Sequence, residues 1–393
     1  MGRLDELIKE HCPNGIEYVP FGTVCEISKG IQFNKANMND TGTYPVINGG
    51  INPSGYIEQY NQEENTITIS QGGASAGYVN WLSSKFWAGA HCYVLKPFDC
   101  LVNRYAYHYI KSQEYKLQEC QYGAGIPALA KSTIEGLKIP VPPIEVQSEI
   151  VKILDNFTEL TAELTAELTA RKQQYNEYLN LLIDEKRFEN PSYIRLEELF
   201  DFRNGLSKGK DFFGSGILFI RYTDVFNNRF LRKENITALV ECTPAEIQKL
   251  GVKRGDVLFT RTSETAEDVG WSSVVLEDMG DCVFNGFTIK ATPKTDLLLP
   301  EYCAYCFSTD KFRSFVTSRC AFTTRASLTG KTIGEFEMPV PSIEEQKHIV
   351  SILDKLYTLC YSLADGLPAE IEARQKQYEY YRDQLLSFKQ LSE

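Results

Sequence analysis

The residues that could do chemistry are best taken first. Gly330-Lys331-Thr332 has the form of the end of a phosphate-binding loop, but the GxxxxGKS/T pattern needs glycine at 325 and Arg325 stands there. Asn52-Pro53-Ser54-Gly55-Tyr56 lacks the second proline of an NPPY loop, and no glycine-rich cofactor loop precedes it. Both read as turns. The four histidines, His11, His91, His108 and His348, show neither metal-ligand spacing nor a partnered nucleophile. Eleven cysteines are scattered along the chain, and only Cys303 and Cys306 make a C-x-x-C pair. A four-ligand zinc site would need a second such pair or matching histidines, so YCAYCF reads as an apolar helix with buried, reduced thiols. No Asp, Glu-x-Lys nuclease cluster stands out. The expectation is a chain with no catalytic residue and no metal site.

Binding chemistry is better represented. Lys29, Gln32 and Lys35, then Gln71 and Ser75 in SQGGASAG, then Arg203, Lys208, Lys210, Arg221 and Thr260-Arg261-Thr262 lie in or beside loops. Arg pairs bidentately with guanine and Gln with adenine in a major groove, while Lys and Ser reach phosphates. These twelve are the candidate DNA-binding residues; the competing reading is of ordinary solvated loops.

The net charge of −11 argues against a nucleic-acid partner, because phosphate neutralisation needs Lys and Arg. Its distribution tempers that argument. Residues 139–187 (5 basic, 9 acidic) and 338–393 (6 basic, 9 acidic) carry −7 of it, and the rest of the chain is almost neutral. Residues 203–233 hold seven basic side chains against Asp211 and Asp224. A local basic surface is therefore compatible with the acidic whole. No run of 18 apolar residues exists and MGRLDELIKEHCPNG carries charges where a signal peptide would need an apolar stretch, so a cytoplasmic location away from any membrane is expected.

The elements that must position these loops are written twice. IPVPPIEVQSEIVKILD (139–155) and MPVPSIEEQKHIVSILD (338–354) share eleven of seventeen residues, and ARKQQYNEYLNLL (170–182) matches ARQKQYEYYRDQL (373–385). EYVPFGTVCEISKG (17–30) answers SYIRLEELFDFRNG (192–205) in pattern only. The layout is variable 1–138, constant 139–187, variable 188–337, constant 338–393. Pro142-Pro143 and the Ser342/Glu345 capping box mark helix starts. Ile150, Ile153, Leu154, Phe157, Leu160, Leu164 and Leu168 then recur at three- and four-residue spacing, predicting a helix from about Ile144 to about Lys186. A helix so long with so narrow an apolar stripe needs a partner, which the second constant segment supplies, broken or kinked at Gly366 and Pro368. The variable regions hold strand-like runs, TITIS, CYVLK, ILFIRY, DVLFTRT and FTIKAT, between Gly-rich turns, with helical RYAYHYI and EYCAYCF before each constant segment. An α+β protein follows, with two mixed α/β domains, each followed by a long helix.

The doubled (I/M)PVPxIExQxxIVxILD opening, the GLPAEIEARQKQYEYYRDQLLSF ending, GDVLFTRT at 255–262 and the TAEL units resemble the specificity subunit of type I DNA restriction-modification systems. The resemblance spans essentially the whole chain. It implies a non-catalytic subunit with two target-recognition domains, each reading half of a split, asymmetric double-stranded DNA site, and two helices packed as an antiparallel coiled coil with pseudo-twofold symmetry. It further implies two modification (methyltransferase) subunits and restriction (motor and nuclease) subunits as partners, with S-adenosylmethionine, ATP and magnesium on those partners. Glu145, Gln147, Glu344, Gln346, Tyr378 and Tyr381 of the repeated segments become the candidate partner-binding residues. TELTAELTAELTA (158–170) becomes a ruler, with Leu160, Leu164 and Leu168 as its spacer positions. A methyltransferase or nuclease in its own right, and a DNA-independent scaffold, are the alternatives.

Overall fold

The computed structural model describes residues 2–123, 125–183 and 192–391. Two compact units result, Met1–Thr165 with Glu370–Glu393, and Ala166–Ala369. The chain passes between them inside the TAEL tract and again near the start of the last helix. The units thus cut across the sequence repeats, each taking part of both constant segments. The 187/188 boundary expected from sequence lies outside the described residues.

In the first unit, β1 (Cys25–Lys29), β2 (Thr66–Ser70), β3 (Val79–Leu82) and β4 (Cys92–Pro97) form an antiparallel sheet in the order β1-β4-β2-β3. Thr66–Ser70 alternates β-branched residues and is buried throughout, as suits a central strand covered on both faces. Helix α1 (Asn103–Ser112) packs Tyr105, Ala106 and Ile110 into a core with Ile27, Ile67, Ile69 and Leu95. Tyr18–Pro20 pairs with Lys138–Pro140, delivering the chain to the helix start. Helix α2 (Ile144–Ile183) then runs 40 residues and drives Val146, Ile150 and Leu154 into the same core, all fully buried. Each such side chain contributes roughly 1.5–3 kcal/mol.

The second unit repeats this plan. β5 (Phe200–Asn204), β6 (Val257–Thr260), β7 (Ser272–Val275) and β8 (Thr288–Pro293) pair antiparallel in the order β5-β8-β6-β7. Ser192–Arg195 pairs with Glu337–Val340 as Tyr18–Pro20 does with Lys138–Pro140. Helix α3 (Pro300–Cys306) carries Cys303 and Cys306 fully inward, so these thiols are core residues, and burial pushes Cys306 up to about 12. Helix α4 (Ile343–Tyr361), capped by Ser342, whose hydroxyl accepts the Glu345 N–H, buries Ile349 and Leu353. The chain breaks at Ser362–Gly366, and α5 (Leu367–Leu385) follows, as glycine and proline there require.

One side chain fixes each helix entry, and it corrects an expectation. Gln147 is fully buried; its Oε1 accepts the Val102 N–H at 2.7 Å, and its Nε2 donates to the carbonyls of Cys100 and Pro142. Gln346 repeats all three bonds with Leu299, Leu297 and Pro341. These glutamines are internal locks between helix and domain, and unavailable to a partner. The exposed Glu145 and Glu344 remain open to one.

The helices pair antiparallel within each unit. In the first, Phe157 of α2 stacks on Tyr381 of α5; in the second, Tyr175 of α2 packs against Tyr357 and Tyr361. Leu160, Leu164 and Leu168 are half-buried along one stripe, while Glu159, Glu163 and Glu167 are exposed. The hydroxyls of Thr158, Thr161 and Thr165 donate to the carbonyls four residues back, so each repeat satisfies its own polar groups.

A charged network ties the first domain to these helices. His108 is fully buried on α1, with Nε2 2.8 Å from Asp155 Oδ1 and Nδ1 3.1 Å from the Tyr378 hydroxyl; Arg104 Nε donates to the same carboxylate at 2.7 Å. Burial lowers the His108 pKa, which leaves the ring neutral, donating from Nε2 and accepting from Tyr378. Burial also opposes ionisation of Asp155, yet hydrogen bonds from His108 and Arg104 bring its carboxyl below the ordinary range. Tyr378 and Tyr381 are therefore half-buried internal contacts, and the side chain left outward beside them is Tyr380, 62% exposed. In the second unit the equivalent carboxylate, Asp354, accepts from the Tyr305 hydroxyl, and Arg229 lies over the rings of Tyr175, Tyr305 and Tyr357.

Candidate nucleic-acid interface

Lys29 and Gln71 in the first unit, and Thr260 and Arg261 in the second, lie at or just beyond the ends of paired strands. In the first unit Lys29 faces Tyr93 and Ser70 faces Cys92 in register; in the second Asn204 faces Ile289 and Thr260 faces Thr288. Beyond these last pairs the chain follows one main-chain framework in both units. Gly30 N–H donates to Cys92 O and Gly205 N–H to Thr288 O. Ile31 and Leu206 donate to Ala88 and Phe284. Ser70 and Thr260 take carbonyls of Tyr78 and Trp271, and are themselves taken by Gly77 and Gly270. Gln71 and Arg261 donate to His91 and Phe287, and accept from Leu129 and Leu328.

Glycine is required at two of these places for physical reasons. A Cβ on Gly30 or Gly205 would lie 2.2 Å from a carbonyl oxygen of the neighbouring segment, and Gly77 and Gly270 have φ of +86° and +70°. The framework is shared, but the side chains on it differ: Lys29, Gln71, Tyr78 and His91 in one unit stand where Asn204, Arg261, Trp271 and Phe287 stand in the other. The loop from Gln71 to Gly77 is also three residues shorter than that from Arg261 to Gly270.

The structure brings some candidates together and withdraws others. Lys29 is exposed, its ammonium 5.7 Å from the Tyr93 ring centre, and Gln32 and Lys35 follow it on an exposed stretch. Gln71 is half-buried, and Ser75, also half-buried, helps close the same loop by accepting the Tyr78 N–H on its carbonyl. In the second unit Arg261 is half-buried and Nη1 donates to the Gly286 carbonyl at 3.2 Å. Thr262 lines an open cleft with Tyr222, Ser263, Glu264, Phe287 and Arg325. Lys210 is exposed on a short 3-10 turn.

Two expectations, Thr260 and Lys208, need correction, and two further candidates, Arg221 and Arg203, each have an internal partner while staying exposed. Thr260 is fully buried, its hydroxyl donating to Asp268 O and accepting the Trp271 N–H, because it ends a central strand rather than beginning a loop. Lys208 is 13% exposed and held by Glu246 at 2.8 Å and by the Glu241 carbonyl; that hydrogen bond depresses the Glu246 pKa to about 2. Its charge is already spent inside the unit. Arg221 forks onto the buried Asp224 carboxylate, which also accepts the Arg221 main-chain N–H at the start of the helix Tyr222–Asn227, though the guanidinium stays half exposed. Arg203 is exposed but gives one donor to the Lys249 carbonyl. Sequence reasoning missed Tyr78, His91, Trp271 and Phe287; Phe287 is 55% and Trp271 39% exposed, and Trp271 carries Arg313 over its ring at 4.4 Å. No sequence signal marked them, since only main-chain pairing sets them at equivalent places.

Such a doubled fold, with a scaffold shared by both units and unlike side chains at two loop ends, defines a two-domain recognition protein. Residues 13–171 and 189–373 each match the type I restriction modification DNA specificity domain, and the chain belongs to that family. A putative type I restriction enzyme specificity subunit of Haemophilus influenzae is 29% identical over 389 residues, 95% of this chain and 96% of that protein. The EcoR124I/EcoR124II specificity subunit of Escherichia coli is 29% identical over 405 residues, 95% and 94% of the two chains. In fold, the chain is similar to the S subunit of a type I system from M. genitalium (TM-score 0.53, 19% identity, 94% and 95% covered). It is also similar to a chain solved in work on complex assembly and conformational transition of the type I R-M system (TM-score 0.65, 15% identity, 95% and 98% covered). Among the described residues no helix is long and apolar enough to cross a membrane, and no group of three His, Cys, Asp or Glu is set to hold a metal.

Proposed function

We propose that this DNA specificity subunit reads a bipartite, asymmetric duplex site, one half-site by the loop end around Gln71 and the other by that around Arg261. Partner subunits supply the chemistry: two modification subunits methylate adenine with S-adenosylmethionine, and restriction subunits use ATP and magnesium. The observation that carries the reading is the shared main-chain framework holding unlike polar and aromatic side chains, since one scaffold with two faces is what two different half-sites require. The acidic helices fit it as well. Their exposed glutamates suit solvent or protein partners better than phosphate, so much of the DNA affinity comes from the assembled complex. The test is single-molecule sequencing of methylated adenines in DNA from cells expressing this chain with and without its modification subunit. A split motif with a fixed gap appears only when both are present. A stable complex that leaves DNA unmethylated overturns the reading and favours a scaffold.

A further inference from the structure

Gln71 and Arg261 occupy the same place in their units by main-chain criteria alone. Each is the first residue beyond the central strand, each donates to the residue just before the neighbouring strand (His91, Phe287), and each accepts from a buried leucine (Leu129, Leu328). The main chain of both residues is therefore clamped on two sides, leaving only the side chain to vary. Fixed backbone position is what precise reading of a base edge needs, because a loosely held side chain contacts phosphates as easily as bases.

The two side chains differ in a way that has chemical meaning. The Gln71 carboxamide makes no hydrogen bond among the described residues. Its donor and acceptor lie on one planar group, matching the N6 donor and N7 acceptor of adenine. The Arg261 guanidinium commits one donor to the Gly286 carbonyl, which orients its plane, and keeps a pair of N–H groups for the O6 and N7 acceptors of guanine. Flanking rings differ in parallel, Tyr78 against Trp271 and imidazole against the phenyl of Phe287.

Building on the two-half-site reading above, we propose that Gln71 and Arg261 are equivalent specificity-determining positions, Gln71 selecting adenine at one position of its half-site and Arg261 guanine at one position of the other. The prediction is exchange. Arg261→Gln, expressed with the modification subunit, changes one guanine to adenine in one half-site of the methylated motif and leaves the other half-site untouched. Gln71→Arg changes one adenine to guanine in the opposite half-site. Arg261→Lys keeps the charge but loses the fork, so its preference for the wild-type guanine falls by roughly 5- to 100-fold, giving a degenerate position. Had Arg261 been a phosphate contact, lysine would serve and the motif would stay sharp; that result overturns the proposal. Unchanged motifs in both exchange variants, or a uniform loss of methylation in variants that fold and assemble, also overturn it. A wild-type chain that directs no split motif would overturn the underlying reading instead, so the two failures are told apart.

Discussion

Deleting Thr165–Leu168 removes one TAEL unit from α2 at the place where the chain passes from one compact unit to the other. The excision is clean in both packing and hydrogen bonding. Leu164 is then followed by Tyr175 seven residues on, the spacing that Leu168 and Tyr175 have now, so the apolar stripe keeps its phase. Thr169 moves into the place of Thr165, four residues beyond Thr161, whose carbonyl accepts the Thr165 hydroxyl today. Four residues shorten a helix by about 6 Å and turn it by about 400°, a residual of roughly 40°, well inside an apolar stripe about 100° wide. At about 3.4 Å per base step, 6 Å corresponds to one or two base pairs. The expected outcome is a complex that still assembles and methylates, with both half-sites unaltered and the gap between them shorter by one or two base pairs; duplication of Thr165–Leu168 lengthens it by the same amount. Methylome sequencing reads the gap directly, and size-exclusion chromatography checks assembly. An unchanged gap in an assembling, methylating deletion variant would refute the ruler.

Further outcomes follow from the buried groups. Gln147→Ala strips partners from a buried N–H and two carbonyls and should cost about 2–5 kcal/mol, seen as a large drop in the denaturant midpoint; Gln346→Ala should match it, and a negligible change in either contradicts the lock. His108 is held neutral by burial beside Arg104, with Asp155, Tyr378 and Arg382 around it. Its folded pKa lies below the unfolded value of about 6.5, so the unfolded state binds more protons and stability, full above that pH, is lost as pH falls through the folded pKa. Asp155, depressed in turn, withdraws its contribution only further down, through the carboxylate range. Between pH 7 and 5 the thermal midpoint of wild type should fall more steeply than that of His108→Asn, which lacks this titration; parallel curves would contradict this. For DNA binding by the complex, Lys210→Ala should reduce the salt slope by about 0.9 if the side chain neutralises a phosphate, whereas Lys208→Ala, its charge already held by Glu246, should leave the slope unchanged. Equal effects of the two would contradict the pairing seen here.

Much of the architecture was legible because it is written in short-range signals. Proline pairs and a capping serine mark the helix starts at Ile144 and Ile343, and Gly366 with Pro368 marks the break. Gly30 and Gly205 were matched by pattern and prove to be the same bend, since a close carbonyl tolerates no Cβ. The site was less legible because its logic is long-range. Gln147 looks like a surface glutamine until its partners appear 45 and 47 residues away in sequence. Lys208 looks like a phosphate ligand until Glu246 folds against it. Thr260 and Arg261 are adjacent, yet one ends a buried strand and the other begins a loop, a boundary that alternation alone does not locate. The likeness of Gln71 to Arg261 is hidden by unequal loop lengths and emerges only from carbonyl partners. Tyr378 and Tyr381, in a repeated segment, read as a docking face because repetition marks importance without saying which side is inward.

The bonds that the two loop ends share are main chain to main chain, and this has a bearing on how such a protein can change. Replacing Gln71, His91, Arg261 or Phe287 removes none of them, so new letters can be tried there at little thermodynamic risk. The residues whose loss would be felt, such as Gly30, Gly205, Gln147 and Gln346, lie at the bends and helix entries, away from those letters. Innovation and integrity are thus assigned to different residues, and a lineage under pressure to alter what it recognises can wander through sequence space without first having to restabilise its fold.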